Sequence, residues 1–369
     1  MKAMPLTDVS SIIDLGAGGG VLSDAASRRW AAAAITTVDI DPACGVAMRE
    51  RLPHRNRTHY VLDALDPEIL AKVGRAGQFD AAICNPPFKK IEWRGGYERV
   101  LSEAGLADCF STESDVTAEA LFLAQNVRLV RRGGTVGLIV PDSFISGRSA
   151  SSLRNAVVRC HRVRAVIQLP NGSFARTEAN SYLLVFDNKL NSEDAISLHR
   201  FSLDGGLSPA IMVDPKLAVR RLDYDFHAME RNESTQTLAS LEASVFRGTM
   251  AAAECKAASR FVFHTSDFSQ ARDGQFFGPN AVASGPSARA GDILMARVDR
   301  SLETKIAIVR AGNFNVSDCT FVVRVDERHR ERVFAALRSE EGRSKIRSAS
   351  RGVGARHLSK SELLAIPLI

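Results

Sequence analysis

The sequence predicts an α/β chain: a doubly wound, mostly parallel sheet over residues 1–205, then a smaller α+β domain over 217–369. Three observations predict it. Through the first 190 residues, short runs rich in Val, Ile and Leu alternate with stretches of helical periodicity, as expected for strands buried on both faces and joined by helices. Successive runs deliver an acid or an Asn at their carboxyl ends, where open α/β sheets bind ligands. Near residue 190 the pattern changes: 188–194 is polar, 204–209 reads as a loop, and the runs beyond are shorter and less regular.

Taken in order, SIIDLG (11–16) reads as the first strand and residues 23–34 as a helix. ITTVDI (35–40) is the second strand, 46–52 is helical, and HYVLDA (59–64) and FDAAIC (79–84) are the third and fourth strands. Residues 118–130 carry apolar side chains at helical spacing, stopped by Arg-Arg-Gly-Gly at 131–134. TVGLIVP (135–141), VRAVIQLP (163–170) and SYLLVF (181–186) complete the set. In the second domain SRFVFHT (259–265), GDILMARV (291–298), KIAIVRA (305–311) and TFVVRV (320–325) read as strands, and 331–347 and 359–365 as helices.

Composition excludes several classes. No run approaches the roughly 18 apolar residues of a membrane span. Residues 1–10 hold one Lys and no apolar stretch, so no secretory signal is expected and the cytoplasm is the expected location. Six scattered cysteines without a CxxC predict neither a disulfide framework nor a metal site. The formal charge of +6 favours a polyanionic partner.

DLGAGGG (14–20) follows a strand and precedes a helix, where glycines let a ligand approach the backbone and the free N–H groups of a helix start. No Gly-Lys-Ser/Thr follows, which disfavours a triphosphate, and Val21 breaks GxGxxG. Asp39, ending strand two in VDIDP, is spaced to accept from ribose hydroxyls. Asp63 ends strand three and is placed to accept from an exocyclic amine. Asn85-Pro86-Pro87-Phe88 follows strand four. Its prolines fix an extended backbone and remove two donors, so the Asn85 amide oxygen and the carbonyls stand as acceptors for a planar amine. Phe88 offers a stacking face.

In that order DLGAGGG, VDIDP, VLDA and NPPF resemble the gamma-class adenine-N6 DNA methyltransferases. RGGTVGLIVPDSF (132–144) and LPNGSFARTEANSYLLVF (169–186) extend the resemblance over residues 11–187. It implies a Rossmann-like methyltransferase sheet and S-adenosylmethionine as cofactor. The cofactor would be held by Asp14, Gly16, Gly18, Asp39, Ile40 and Asp63. The flipped adenine would be met by Asn85, Pro86, Pro87, Phe88 and Phe174. The family's further cofactor motif, N-terminal to the glycine loop, has no counterpart in residues 1–10.

RLDYDFHA (221–228), GDILMARV and HLSKSELLAIPL (357–368) resemble the target-recognition domains of type I restriction specificity subunits, which implies a fused reader of double-stranded DNA. From Arg324 to Lys360, nine Arg and two Lys stand against one Asp and four Glu. In the glycine-containing loop 350–358, Arg351 and Arg356 are the expected phosphate contacts. The expected function is sequence-specific DNA adenine-N6 methylation in a restriction-modification or related defence system, partnered by a separate restriction nuclease or a second copy of the chain. Two alternatives stand beside it: methylation of RNA bases or protein glutamine, and a non-catalytic DNA-binding subunit with a decayed cofactor site.

Overall fold

β1 (Ser11–Leu15) is buried along its whole length because both of its faces and both of its edges are covered. It lies inside a nine-stranded sheet with β2 (Ala34–Asp39), β3 (Arg57–Val61), β4 (Phe79–Cys84), β5 (Val130–Pro141), β6 (Arg162–Gln168), β7 (Ser181–Asp187), β8 (Ile196–Arg200) and β9 (Ile211–Val213), in the order β3-β2-β1-β4-β5-β7-β6-β8-β9. The first five strands run parallel, and β7 enters antiparallel between β5 and β6. The predicted mostly parallel α/β sheet is therefore present. This computed structural model describes residues 4, 6–51, 56–73, 78–170, 173, 180–230, 236–352 and 354–368. The chain divides into two units, Met1–Tyr224 and Asp225–Ile369.

Helices α1 (Val21–Arg29), α2 (Pro42–Arg51), α3 (Ile69–Lys72), α4 (Tyr97–Glu103), α5 (Ala118–Leu129), α6 (Asp142–Ser146) and α7 (Ser151–Cys160) join the strands. α1 stops at Arg29 rather than running to residue 34: Trp30 leaves helical geometry, and Ala34 already belongs to β2. Every residue of α5 is buried. Gln78 N donates to Leu129 O (3.1 Å), so α5 ends beside the start of β4 and begins near the carboxyl edge.

At the opposite edge Asp80 accepts from the backbone N–H groups of Ser10 and Ser11 and from Arg131 Nε (2.7 Å). Burial alone would raise its pKa, but these donors hold the carboxyl well below the usual range. The clamp fixes the starts of β1, β4 and β5.

Asn188, which opens the polar stretch 188–194, is fully buried, and its amide donates to Val127 O (2.9 Å) and Val130 O (2.7 Å), satisfying carbonyls at the end of α5. The first unit also continues past residue 205. β8 and β9 extend the sheet, and Arg221 and Asp223, read from sequence as the opening of the second domain, form a buried two-point ion pair in the first unit.

The second unit is a seven-stranded, mainly antiparallel sheet built on the long strand Ile306–Val316. Alternation along Ile293–Ala296 sends Ile293 and Met295 to one face, among Val333, Leu337 and Ile346, and Leu294 to the other, among Phe263, Phe276 and Phe314. The helix expected over 331–347 is two, Glu327–Arg338 and Glu340–Ala349. Ser339 breaks them with extended backbone and caps the second by accepting from Gly342 N (2.9 Å). Among the described residues no helix is long and apolar enough to cross a membrane.

Candidate active site

The glycine loop owes its shape to residues without side chains. Gly16, Gly18 and Gly20 have φ of +69°, +51° and +75°, a region costly to residues with a Cβ. Gly16 N and Ala17 N both donate to Val38 O (2.8 and 3.1 Å), pinning the loop to the end of β2. A methyl group on Gly16 would stand 3.2 Å from the ring of Phe122, on α5. Beside Gly18 and Gly19 the space is open.

Asp14 lies buried under this loop. Its Oδ2 accepts from Ser23 Oγ (2.6 Å), while Oδ1 has no hydrogen-bond partner among the described residues. Burial pushes its carboxyl up to about 7, against the Ser23 hydrogen bond and with help from the charge of Asp39. At the end of β2, Asp39 Oδ2 accepts from Gly18 N (2.7 Å) and Oδ1 from Asp41 N (2.9 Å), so one carboxylate organises both turns. Ile40 follows it, 66% exposed. At the end of β3, Asp63 accepts from Leu65 N (2.9 Å) and pairs with Arg94 (2.8 Å).

β4 brings Asn85 to the same edge. Cys84 is buried, its thiol donating to Leu15 O (3.1 Å), and this fixes the exit of the strand. Burial pushes the thiol pKa up, which leaves it a structural donor. Asn85 is exposed, Pro86 buried, Pro87 exposed and Phe88 half-buried. Among the described residues the Asn85 side chain makes no hydrogen bond within the chain. The segment then returns to α5, where Ala118 N donates to Lys89 O (3.2 Å). Phe174 lies outside the described residues.

The carboxyl edge thus gathers Asp14, Gly16, Gly18, Asp39, Ile40, Asp63 and Asn85–Phe88 from four adjacent strands. These residues fit S-adenosylmethionine: an orphaned buried carboxylate oxygen for a cationic group, open space along the glycines, a carboxylate for the ribose, and apolar Ile40 and Val61 exposed beside it. Arg94, which pairs with Asp63, and Phe122, which lies against Gly16, were missed from sequence.

In the second unit the expected phosphate contacts have internal partners. Arg351 Nε donates to the buried carboxylate of Glu362 (2.7 Å), and Arg356 donates to Arg347 O (2.8 Å). Much of the basic run is likewise engaged: Arg324 with Asp292, Arg347 with Glu303, Lys345 with Glu341. Its surplus charge is mostly spent on holding helices and strands together.

Comparison with known proteins agrees with this arrangement. Residues 60–200 match the family described as N-6 DNA Methylase, and residues 1–101 match the methyltransferase small domain. The tRNA1(Val) (adenine(37)-N6)-methyltransferase of Shewanella halifaxensis is 24% identical over 201 residues, 54% of this chain and 74% of that enzyme. Its namesake from Shewanella loihica is 35% identical over 38% of this chain, which spans 56% of that enzyme. In fold, the type IIG restriction endonuclease BpuSI is similar over 98% of this chain and 56% of its own, with a TM-score of 0.55 at 12% identity. Together the sheet, its carboxyl-edge residues and the family matches make the first unit a methyltransferase domain of the adenine-N6 type, with S-adenosylmethionine as its cofactor.

Proposed function

We propose that the chain is a sequence-specific DNA adenine-N6 methyltransferase of a restriction-modification or related defence system, the second unit reading the DNA. The observation that carries this reading is the extent of the fold likeness to a type IIG restriction endonuclease, which runs through both units. S-adenosylmethionine supplies an electrophilic methyl group. The target amine is buried by pairing and stacking in a duplex, so the base must leave the helix to reach Asn85. The Asn85 amide oxygen and the Pro86 carbonyl accept from the two amine hydrogens, which turns the nitrogen lone pair toward the methyl. Phe88 holds the ring by stacking. Positioning in line supplies most of the acceleration: the N–C bond would form as the methyl–sulfur bond breaks, leaving the thioether S-adenosylhomocysteine, and the proton lost from nitrogen would pass by way of its hydrogen-bond acceptors to water.

A single reader recognises a short, asymmetric site, so a second copy of the chain or a separate restriction nuclease is the proposed partner. The adenine-N6 tRNA methyltransferase relatives favour a second reading, the same chemistry on an RNA base. Transfer of labelled methyl from S-adenosylmethionine to duplex DNA, to tRNA and to protein decides between them. Label is expected in N6-methyladenine of duplex DNA, at one sequence context. Label confined to RNA would replace the first reading by the second, label confined to protein would move the chemistry to a glutamine side chain, and label in none of the three would favour a chain that binds without catalysis.

A further inference from the structure

Glu119 stands in the first turn of α5 among apolar neighbours and is only 7% exposed. One carboxylate oxygen, Oε2, has no hydrogen-bond partner among the described residues. Burial pushes its pKa up, and the hydrogen bonds from the first turn and Thr117 only partly oppose that. A buried acid without a full set of donors is costly to the fold, and nothing in the packing of α5 accounts for it.

Its position follows from the helix geometry. Asn126, seven residues on, points the same way to within about 20°, and its amide lies beside the Cys84 thiol at the end of β4. Phe122, three residues on and on the same side, lies against Gly16 at the end of β1. Two turns of helix are about 10 Å, so Glu119 stands just past the ends of β1 and β4. The residues beside it are tied to the segment after Phe88, through Ala118 N to Lys89 O and the Thr117–Lys90 bridge. The carboxyl therefore sits between the glycine loop and Asn85–Phe88.

Resting on the cofactor reading above, we propose that Glu119 is a cofactor-binding residue whose free carboxylate oxygen meets the positive charge of S-adenosylmethionine. That charge has two sources, the sulfonium and the α-ammonium. Three ligands separate them: S-adenosylmethionine carries both, S-adenosylhomocysteine only the ammonium, and 5′-methylthioadenosine neither.

Calorimetry on the full chain and on Glu119→Gln tests this. The variant is expected to bind S-adenosylmethionine at least tenfold more weakly and methylthioadenosine unchanged, which also shows that it is folded. Equal weakening of S-adenosylhomocysteine assigns the contact to the ammonium; unchanged S-adenosylhomocysteine assigns it to the sulfonium. Unchanged S-adenosylmethionine affinity, or equal weakening of all three ligands, overturns the proposal. Should Glu119→Gln not fold, Glu119→Asp, which draws the charge back by one methylene, is expected to give the same ligand pattern in weaker form; an unchanged affinity there overturns it too. A wild-type chain that binds none of the three would instead remove the cofactor reading itself.

Discussion

Asp39 shows how much one side chain carries at the strand edge. It holds Gly18 N and Asp41 N and is the proposed acceptor for the ribose. Asp39→Ala is expected to weaken S-adenosylmethionine binding by about 1.5–3 kcal/mol, the range for a hydrogen bond to a charged group; retained affinity in calorimetry would take the glycine loop out of cofactor binding. Asn85→Ala should behave differently. The side chain is exposed and bonds nothing among the described residues, so the variant should melt like the wild type and bind cofactor nearly as well while losing methyl transfer; near-normal turnover would refute its role. A pH effect belongs to His161, which is buried against Phe186 and accepts from Lys189 N (3.0 Å). Burial pushes its pKa down to about 4, with the Lys189 charge assisting, whereas the unfolded value is about 6.5. Its contribution is therefore complete above about 6.5 and is lost as the pH falls toward 4, about 2 kcal/mol by pH 5. Asp14 pulls the other way, because its raised pKa makes its contribution fall as pH rises toward 7. The comparison that isolates His161 is the stability gap between wild type and His161→Gln as a function of pH, in which Asp14 cancels: the gap should shift against the wild type by about 2 kcal/mol as the pH falls to 5, and a gap that does not change with pH would exclude His161 as the source. Strand-end acids could be read from sequence because the strand itself places them. Arg94 could not: its partner Asp63 is 31 positions away, and nothing local announces the pair.

At the scale of elements, α5 governs the site. It is polar at Glu119, Gln125, Asn126 and Arg128, and each of these is buried. Gln125 donates to Asp66 O (2.9 Å) and Arg128 pairs with Glu103 (2.6 Å), so the helix holds the segment after β3 as well as the glycine loop. Gly16→Ala would place a methyl against Phe122 in a backbone region unfavourable by about 1–2 kcal/mol. The variant should lose that much stability in thermal or urea unfolding, with weaker cofactor binding. Phe122→Leu in the same chain should relieve the contact but not the backbone cost, so full rescue would show that the ring, not φ, sets the requirement. Long apolar runs announced β1, β2, β4 and β5 in the sequence. β8 and β9 were invisible because they are short and half polar, their pairing being decided by the edge of β6 that they complete. The break at Ser339 was masked because helical spacing continues across it, and only the capping hydrogen bond reveals it.

At the scale of the whole molecule, the first unit needs its last residues. Arg154 is buried, with its guanidinium donating to Phe144 O and Gly147 O and, from the far end of the unit, to Val219 O and Arg220 O (both 3.1 Å). A chain ending at residue 205 would strip two of these acceptors from a buried cation, at a cost of about 1–3 kcal/mol or more, and would also lose β9. A chain ending at Tyr224 is therefore expected to melt cooperatively and bind S-adenosylmethionine like the full chain, while one ending at 205 melts lower. Equal Tm values would show that the 206–224 segment does not brace the sheet. The shorter boundary was drawn from polarity, and polarity misled because the loop at 204–209 interrupts the sheet without ending it. Under the proposed function, the Tyr224 chain should also lose sequence selectivity on duplex DNA. The strand order carries a further consequence, for the ribosome. β1 is made well before its neighbour β4, which ends about 70 residues later in the chain. At roughly 5–20 residues per second, this apolar strand waits some 3–14 s beside the nascent chain with one edge open, longer than any other strand of the cofactor site, which makes it the segment of that site most in need of a chaperone's cover.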